Sequence, residues 1–235
     1  MGFGPLRVIN EDRVRPGAGS IPTATATWEI ISYVLEGALE HKDSIGTGSV
    51  IRPGDLQVMS AGSGIRHSEF NHSKQEPVHF LQIWVLPDRE GISPRYDQKT
   101  FSESEKRGRL RLIGSPDGRE GSIVIHQDVE IFAALLSMPA TPSRTRWAGG
   151  RNGWVQVIRG AGARSMASRC APGDGVALEG EATLAVTSRA GDPEFLVFGS
   201  ATAIARPART RDHDNCRQDF ARALKLSQRR RPTSQ

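Results

Sequence analysis

The sequence predicts an all-β fold built from two similar modules, on three observations. First, 25 glycines and 14 prolines punctuate the 235 residues, leaving short β-rich segments between turns. Second, one order of strand, glycine turn, strand and Pro-Gly-Asp turn occurs twice. Third, no good helix pattern appears before residue 200. Regular short strands of this kind argue for a barrel or sandwich.

The elements follow in order. Trp28–Leu35 and Pro77–Leu86 are strand-like in the first half; Ser122–His126 and Gly153–Ile158 follow the same style in the second. Val34-Leu35-Glu36-Gly37 precedes the turn Arg52-Pro53-Gly54-Asp55, and Val157-Ile158-Arg159-Gly160 precedes Ala171-Pro172-Gly173-Asp174. The repeated order reads as an internal duplication. Between the modules, Glu90–Tyr96 and the charged run Glu103–Arg109 read as a connection across the surface. The last 37 residues are Arg-rich and lack strand alternation; they read as a basic tail, disordered or partly helical over Asp219–Leu226.

Composition narrows the function classes. No run of eighteen apolar residues exists, so no membrane span is expected. MGFGPLRVIN has no basic-then-apolar signal pattern, and two cysteines are too few for a disulfide framework. A cytoplasmic location is the default expectation. The net charge of +5 is uneven: residues 1–198 sum to −1 and residues 199–235 to +6. Any nucleic-acid affinity is therefore expected to be weak, confined to the tail and steeply salt-dependent. No P-loop, dinucleotide glycine motif or Ser-His-Asp pattern is present.

The segment Ala61-Gly62-Ser63-Gly64-Ile65-Arg66-His67-Ser68-Glu69-Phe70-Asn71 carries the chemistry. His67 and Glu69 are two apart, so a strand points both to one face. An imidazole and a carboxylate projecting together are half of a divalent metal site; the bland reading is an exposed polar strand face. Asn71 shares that face and could bind a ligand or a neighbouring group. His41 could point into the barrel, but reads rather as capping a hairpin beside Asp43, and His79 reads as a satisfied core histidine. His126 lies in a module without His-x-His or His-x-Glu, so no metal is expected there. Trp84, Trp147 and Trp154 read as packing, and Cys170 as a turn residue without a catalytic partner.

Four stretches resemble the pirin family of bicupins. They are Gly2–Asp12, Tyr33–Ser44, Met59–Glu69 and Gly91–Tyr96, and His126-Gln127-Asp128 matches the start of the family's second half. The resemblance covers roughly residues 2–198. It implies two cupin (jelly-roll) barrels, expected at 1–119 and 120–198, with the tail at 199–235. It implies one divalent metal, most often Fe(II), held in the N-terminal barrel by three His and one Glu. His67 and Glu69 fall on the last two of these ligands, with Glu69 also the base in a quercetin 2,3-dioxygenase-type reaction on a flavonol-like aromatic. The alternative is a non-catalytic pirin-like regulator acting through protein contacts. A monomer is expected in either case.

The chain departs from the family pattern at residues 20–28. The family's first two ligand histidines correspond to Ile21 and Thr23, which offer no imidazole nitrogen. The expectation is therefore low metal occupancy and impaired oxygenation. A one-base shift turns the codons CAT CCC CAC CGC GAC, for His-Pro-His-Arg-Asp, into ATC CCC ACC GCG AC. That gives Ile-Pro-Thr-Ala-Thr, the peptide at 21–25, so we read the departure as a short frame slip restored by Glu29. Met1 is read as an internal methionine of the longer family pattern, and the segment after 198 as readthrough or another frame change.

Overall fold

The computed structural model describes residues 2–136, 143–146, 151–160, 163–165, 168–179, 183–187 and 192–201. The first half contributes nine strands: β1 (Leu6–Val14), β2 (Thr23–Thr25), β3 (Glu29–Glu36), β4 (Leu39–Asp43), β5 (Gly48–Ile51), β6 (Asp55–Ser60), β7 (Ile65–Asn71), β8 (Val78–Val85) and β9 (Arg95–Thr100). A four-residue helix α1 (Glu103–Lys106) leads to β10 (Arg111–Ser115), β11 (Ile123–Val124), β12 (Val129–Leu135), β13 (Ser143–Arg146) and β14 (Arg151–Arg159). Five more follow: β15 (Ala163–Ser165), β16 (Ser168–Cys170), β17 (Gly175–Leu178), β18 (Thr183–Thr187) and β19 (Glu194–Ala201). Among the described residues no helix is long and apolar enough to cross a membrane.

Four sheets form two pairs. The first half builds β1-β8-β3-β6-β9 and β2-β7-β4-β5; the second builds β11-β10-β12-β19-β14-β17 and β13-β18-β15-β16. Strand β10 belongs to the second set, and β19 runs three residues into the segment expected to be tail. The rest of the tail, residues 202–235, and Trp147 lie outside the described residues. Cys170 is buried at the end of β16, not in a turn.

The duplication is visible in atomic detail. The order β1-β8-β3-β6 is repeated by β12-β19-β14-β17. In each Pro-Gly-Asp turn the Asp carboxylate accepts from the backbone N–H three residues earlier: Arg52 to Asp55 at 2.9 Å, and Ala171 to Asp174 at 2.7 Å. Gly54 (φ +95°) and Gly173 (φ +87°) take the left-handed conformation that a turn of this shape requires. Gly37 and Gly160 are also left-handed, and a Cβ on either would lie 2.5 Å from the proline preceding the partner strand, Pro77 or Pro193.

Strand β3 alternates between two environments. Ile31, Tyr33 and Leu35 join Leu56, Val58, Leu81 and Ile83 in a core shared with Ile131, Ala133, Ile158, Leu196 and Phe198 of the second half. The two large sheets thus pack face to face, and the barrels sit on their outer sides. Polar groups fasten this interface. Glu194, buried on β19, accepts from the Tyr33 hydroxyl (2.5 Å), Lys106 Nζ (3.2 Å) and the Arg159 guanidinium (2.7 Å). The charged run 103–109 is therefore not wholly a surface connection, because Lys106 is drawn inward by a buried carboxylate. Burial, with Glu194 close by, pushes the Tyr33 hydroxyl well above its usual range. Elsewhere on the interface, buried Glu29 accepts from the Ser60 hydroxyl (3.1 Å) and the His126 backbone N–H (3.2 Å).

Removing one member of a buried ion pair leaves its partner uncompensated, typically at a cost of about 3–5 kcal/mol. Glu194→Leu should therefore lower stability in urea unfolding by about 3 kcal/mol. Adding Lys106→Met should recover most of that loss, since no unpaired ammonium then remains.

Candidate functional site

The site lies inside the N-terminal barrel because the inward faces of its strands are not uniformly apolar. Ile30, Met59, Ala61, Ile65 and Trp84 form one apolar cluster of this half, and Val34, Leu39, Ile51, Val78 and Phe80 form another. On β3 and β8, Ser32 falls between Ile30 and Val34, and Gln82 between Phe80 and Trp84. These polar residues, with His67 and Glu69, make a polar layer between the clusters.

On β7, Ile65, His67 and Glu69 share the inward face and are buried; on the other face Arg66 is exposed but Ser68 is buried. The antiparallel register sets Glu69 opposite His41 on β4, and His67 opposite both Asp43 on β4 and Thr23 on β2. Both Glu69 oxygens are engaged. Ser32 Oγ donates to Oε1 at 3.1 Å, and Gln82 Nε2 to Oε2 at 2.5 Å. Burial pushes the Glu69 carboxyl up to about 7, with the two hydrogen bonds opposing and nearby Asp12 adding.

His67 is pushed the other way, down to about 4, first by burial and then by His41. Its Nε2 lies 3.3 Å from Thr25 Oγ1 and its Nδ1 is buried without a partner. His41 is fully buried, with Nε2 3.0 Å from Asp43 Oδ2 and its ring centre 5.8 Å from that of His67. It thus both pairs with Asp43 and faces the barrel interior. Tyr96 lies against its ring at 4.9 Å. His79 lies apart from this group, held by Glu11 at 2.7 Å. Asn71 is also structural: its side chain donates to the carbonyls of Val14 and Glu76.

The residues present do not fit a four-ligand metal. Ile21 is 60% exposed. The Thr23 hydroxyl donates to the Ile21 carbonyl at 3.3 Å, turning the two positions onto each other. Among the described residues, no group of three or more His, Cys, Asp or Glu could hold a metal ion. The segment after Thr23 also closes on Thr27 at φ +73°, a conformation rarely adopted by a β-branched residue.

Sequence reading missed Ser32, Gln82 and the Glu29–His126 contact. The first two were detectable as polar residues at inward-facing positions of otherwise apolar strands. The third joins residues 97 apart and has no local signature.

The second barrel supplies a comparison within the chain. Register aligns Ser32 with Val155 and Gln82 with Val197, and both valines lie in an apolar cluster. Two face-packed cupin barrels, the first with a polar layer between apolar clusters and the second with an apolar cluster among its described residues, define a bicupin. Comparison with known families matches the pirin family over residues 2–85 and the quercetinase C-terminal cupin domain over residues 112–199. The chain belongs to the pirin family.

It is 39% identical over 198 residues to quercetin 2,3-dioxygenase of Escherichia coli K12, covering 84% of this chain and 83% of that one. It superposes on the crystal structure of YhhW from Escherichia coli with a TM-score of 0.81 at 37% identity, covering 86% of this chain and 84% of that one. It also matches the nickel(II) complex of that bacterial pirin with a TM-score of 0.80 at 37% identity, covering 86% and 85%.

Two predictions follow from the geometry. A raised Glu69 pKa means the folded state holds a proton that the unfolded state releases, so stability falls as pH rises from about 4.5 to about 7. Depressed His67 and His41 act oppositely, with stability rising between about 4 and 6.5 for His67. In urea unfolding across this range, Glu69→Gln should leave a rising slope and His41→Asn/His67→Asn a falling one. Separately, Thr27→Gly should raise stability by about 1 kcal/mol through relief of the left-handed strain.

Proposed function

We propose that the N-terminal barrel of this pirin binds a flavonol-class aromatic ligand but does not carry out metal-dependent oxygenation. One observation carries the reading: both Glu69 oxygens are held by Ser32 and Gln82, while the two positions that should complete a metal shell are exposed Ile21 and self-bonded Thr23. Losing two of four donors costs several kcal/mol of metal affinity, enough to leave a site mostly empty at micromolar metal.

The relatives' name supplies the ligand class. Residues of this chain supply the chemistry that remains. Neutral His67 offers imidazole nitrogen, and Glu69, pushed up to about 7, can exchange a proton with an acidic hydroxyl at neutral pH.

Elemental analysis after incubation with Fe(II) or Ni(II) should find well below one metal per chain. Quercetin should quench tryptophan fluorescence, since Trp28 and Trp84 pack 5.6 Å apart beside Ile65. Its absorption spectrum should persist in air. One metal per chain with loss of quercetin would overturn the reading; it would require another donor, and His41 is the first to test. Absence of quercetin quenching would overturn the binding half.

A further inference from the structure

The end of the barrel next to His67 opens into a pocket of about 370 Å³, lined by Ala24, Thr25, Ala26, Ser44, Gly64, Ile65 and Arg66. That volume lies within the range of small-molecule sites. Its lining combines alanine methyl groups and Ile65 with the hydroxyls of Thr25 and Ser44, and contains no carboxylate. Arg66 brings the one formal charge. Its exposed side chain sits opposite Ala24 on the three-residue edge strand β2, where a methyl group leaves room beside it. Among the described residues its guanidinium has neither an ion pair nor a hydrogen bond; only its backbone is engaged, N–H to Ser44 Oγ (3.1 Å) and carbonyl from Ser44 N (2.8 Å).

A second cavity among the described residues differs in this respect. It is lined by Asp88, Arg89, His126 and Asp128 among others, and its charges are already paired, Arg89 with Asp88 and Asp128 with Arg151. Thr25 lines the barrel-end pocket and touches His67 Nε2, so a ligand there lies one side chain from the polar layer.

We propose that Arg66 is a specificity residue that selects planar aromatic anions, phenolates or carboxylates, over their neutral counterparts at this pocket. The proposal rests on the aromatic-binding reading above and names the charge of the ligand. A guanidinium meeting a carboxylate or phenolate forms a charge-assisted hydrogen bond, stronger than a neutral one and weakened by salt.

The test uses two probes with the same ring system and different charge at neutral pH, 2-naphthoate and 2-naphthol. Tryptophan fluorescence is titrated in the full chain and in Arg66→Gln and Arg66→Lys. The unmodified chain should bind 2-naphthoate about tenfold more tightly than 2-naphthol, a preference that shrinks with added salt. Arg66→Gln should weaken 2-naphthoate by about tenfold and leave 2-naphthol unchanged, while Arg66→Lys keeps most of the preference.

Equal affinity for the two probes, an equal loss of both in Arg66→Gln, no change in either, or no quenching by either probe would overturn the proposal. Failure here and failure of the aromatic-binding reading are separable. That reading stands or falls on quercetin quenching and metal content, which neither naphthalene probe reports.

Discussion

Strands β3, β6 and β8 are buried on both faces, and the location of those two faces constrains the rest of the molecule. One face of each must meet the second half of the chain, because the shared core takes Ile31, Leu56 and Leu81 together with Ile131, Leu196 and Phe198. The other face can then only line a barrel. A polar residue on the inward face is consequently shielded from water and must find a partner within the barrel. Glu69 finds Ser32 and Gln82; His67 finds Thr25; His41 finds Asp43. The inter-barrel core fixes Ser32 on β3 and Gln82 on β8 inside the barrel, where they meet Glu69 from the opposite sheet.

The two halves show how one architecture supports different interiors. Their turns agree down to single hydrogen bonds, and their large sheets share a strand order. Inside, valines replace the donors that hold Glu69. At the two positions that hold Glu69 in the first barrel, the second barrel places apolar side chains that offer a carboxylate no hydrogen bond.

Much of this was legible in the sequence. The paired Pro-Gly-Asp turns revealed the duplication because a left-handed glycine beside a capping aspartate is a local requirement. The spacing of two between His67 and Glu69 placed them on one face for the same reason, strand periodicity. What local pattern could not reveal was the far end of each long-range contact. Lys106 sits in a run that reads as solvated, yet its ammonium is buried, because Glu194, 88 residues later, lies beneath it. Whether His41 belonged to a hairpin or to the barrel had no answer in its own neighbours; the register of β4 against β7 makes it both. That the Thr23 hydroxyl would turn to the Ile21 carbonyl was likewise not readable from the segment itself.

The shared core also bears on cooperativity. Side chains of both halves interleave in one apolar cluster, and buried carboxylates of either half are satisfied by donors of the other. Separating the barrels would expose that cluster to water and at once take from Glu194 its Tyr33 and Lys106 donors and from Glu29 its His126 donor. The free energy that holds the halves together is therefore of the same kind as that which holds each half folded. A chain that looks like two repeats is in thermodynamic terms a single unit: neither copy can be excised or allowed to drift while the other stays intact, and damage to either is felt by both.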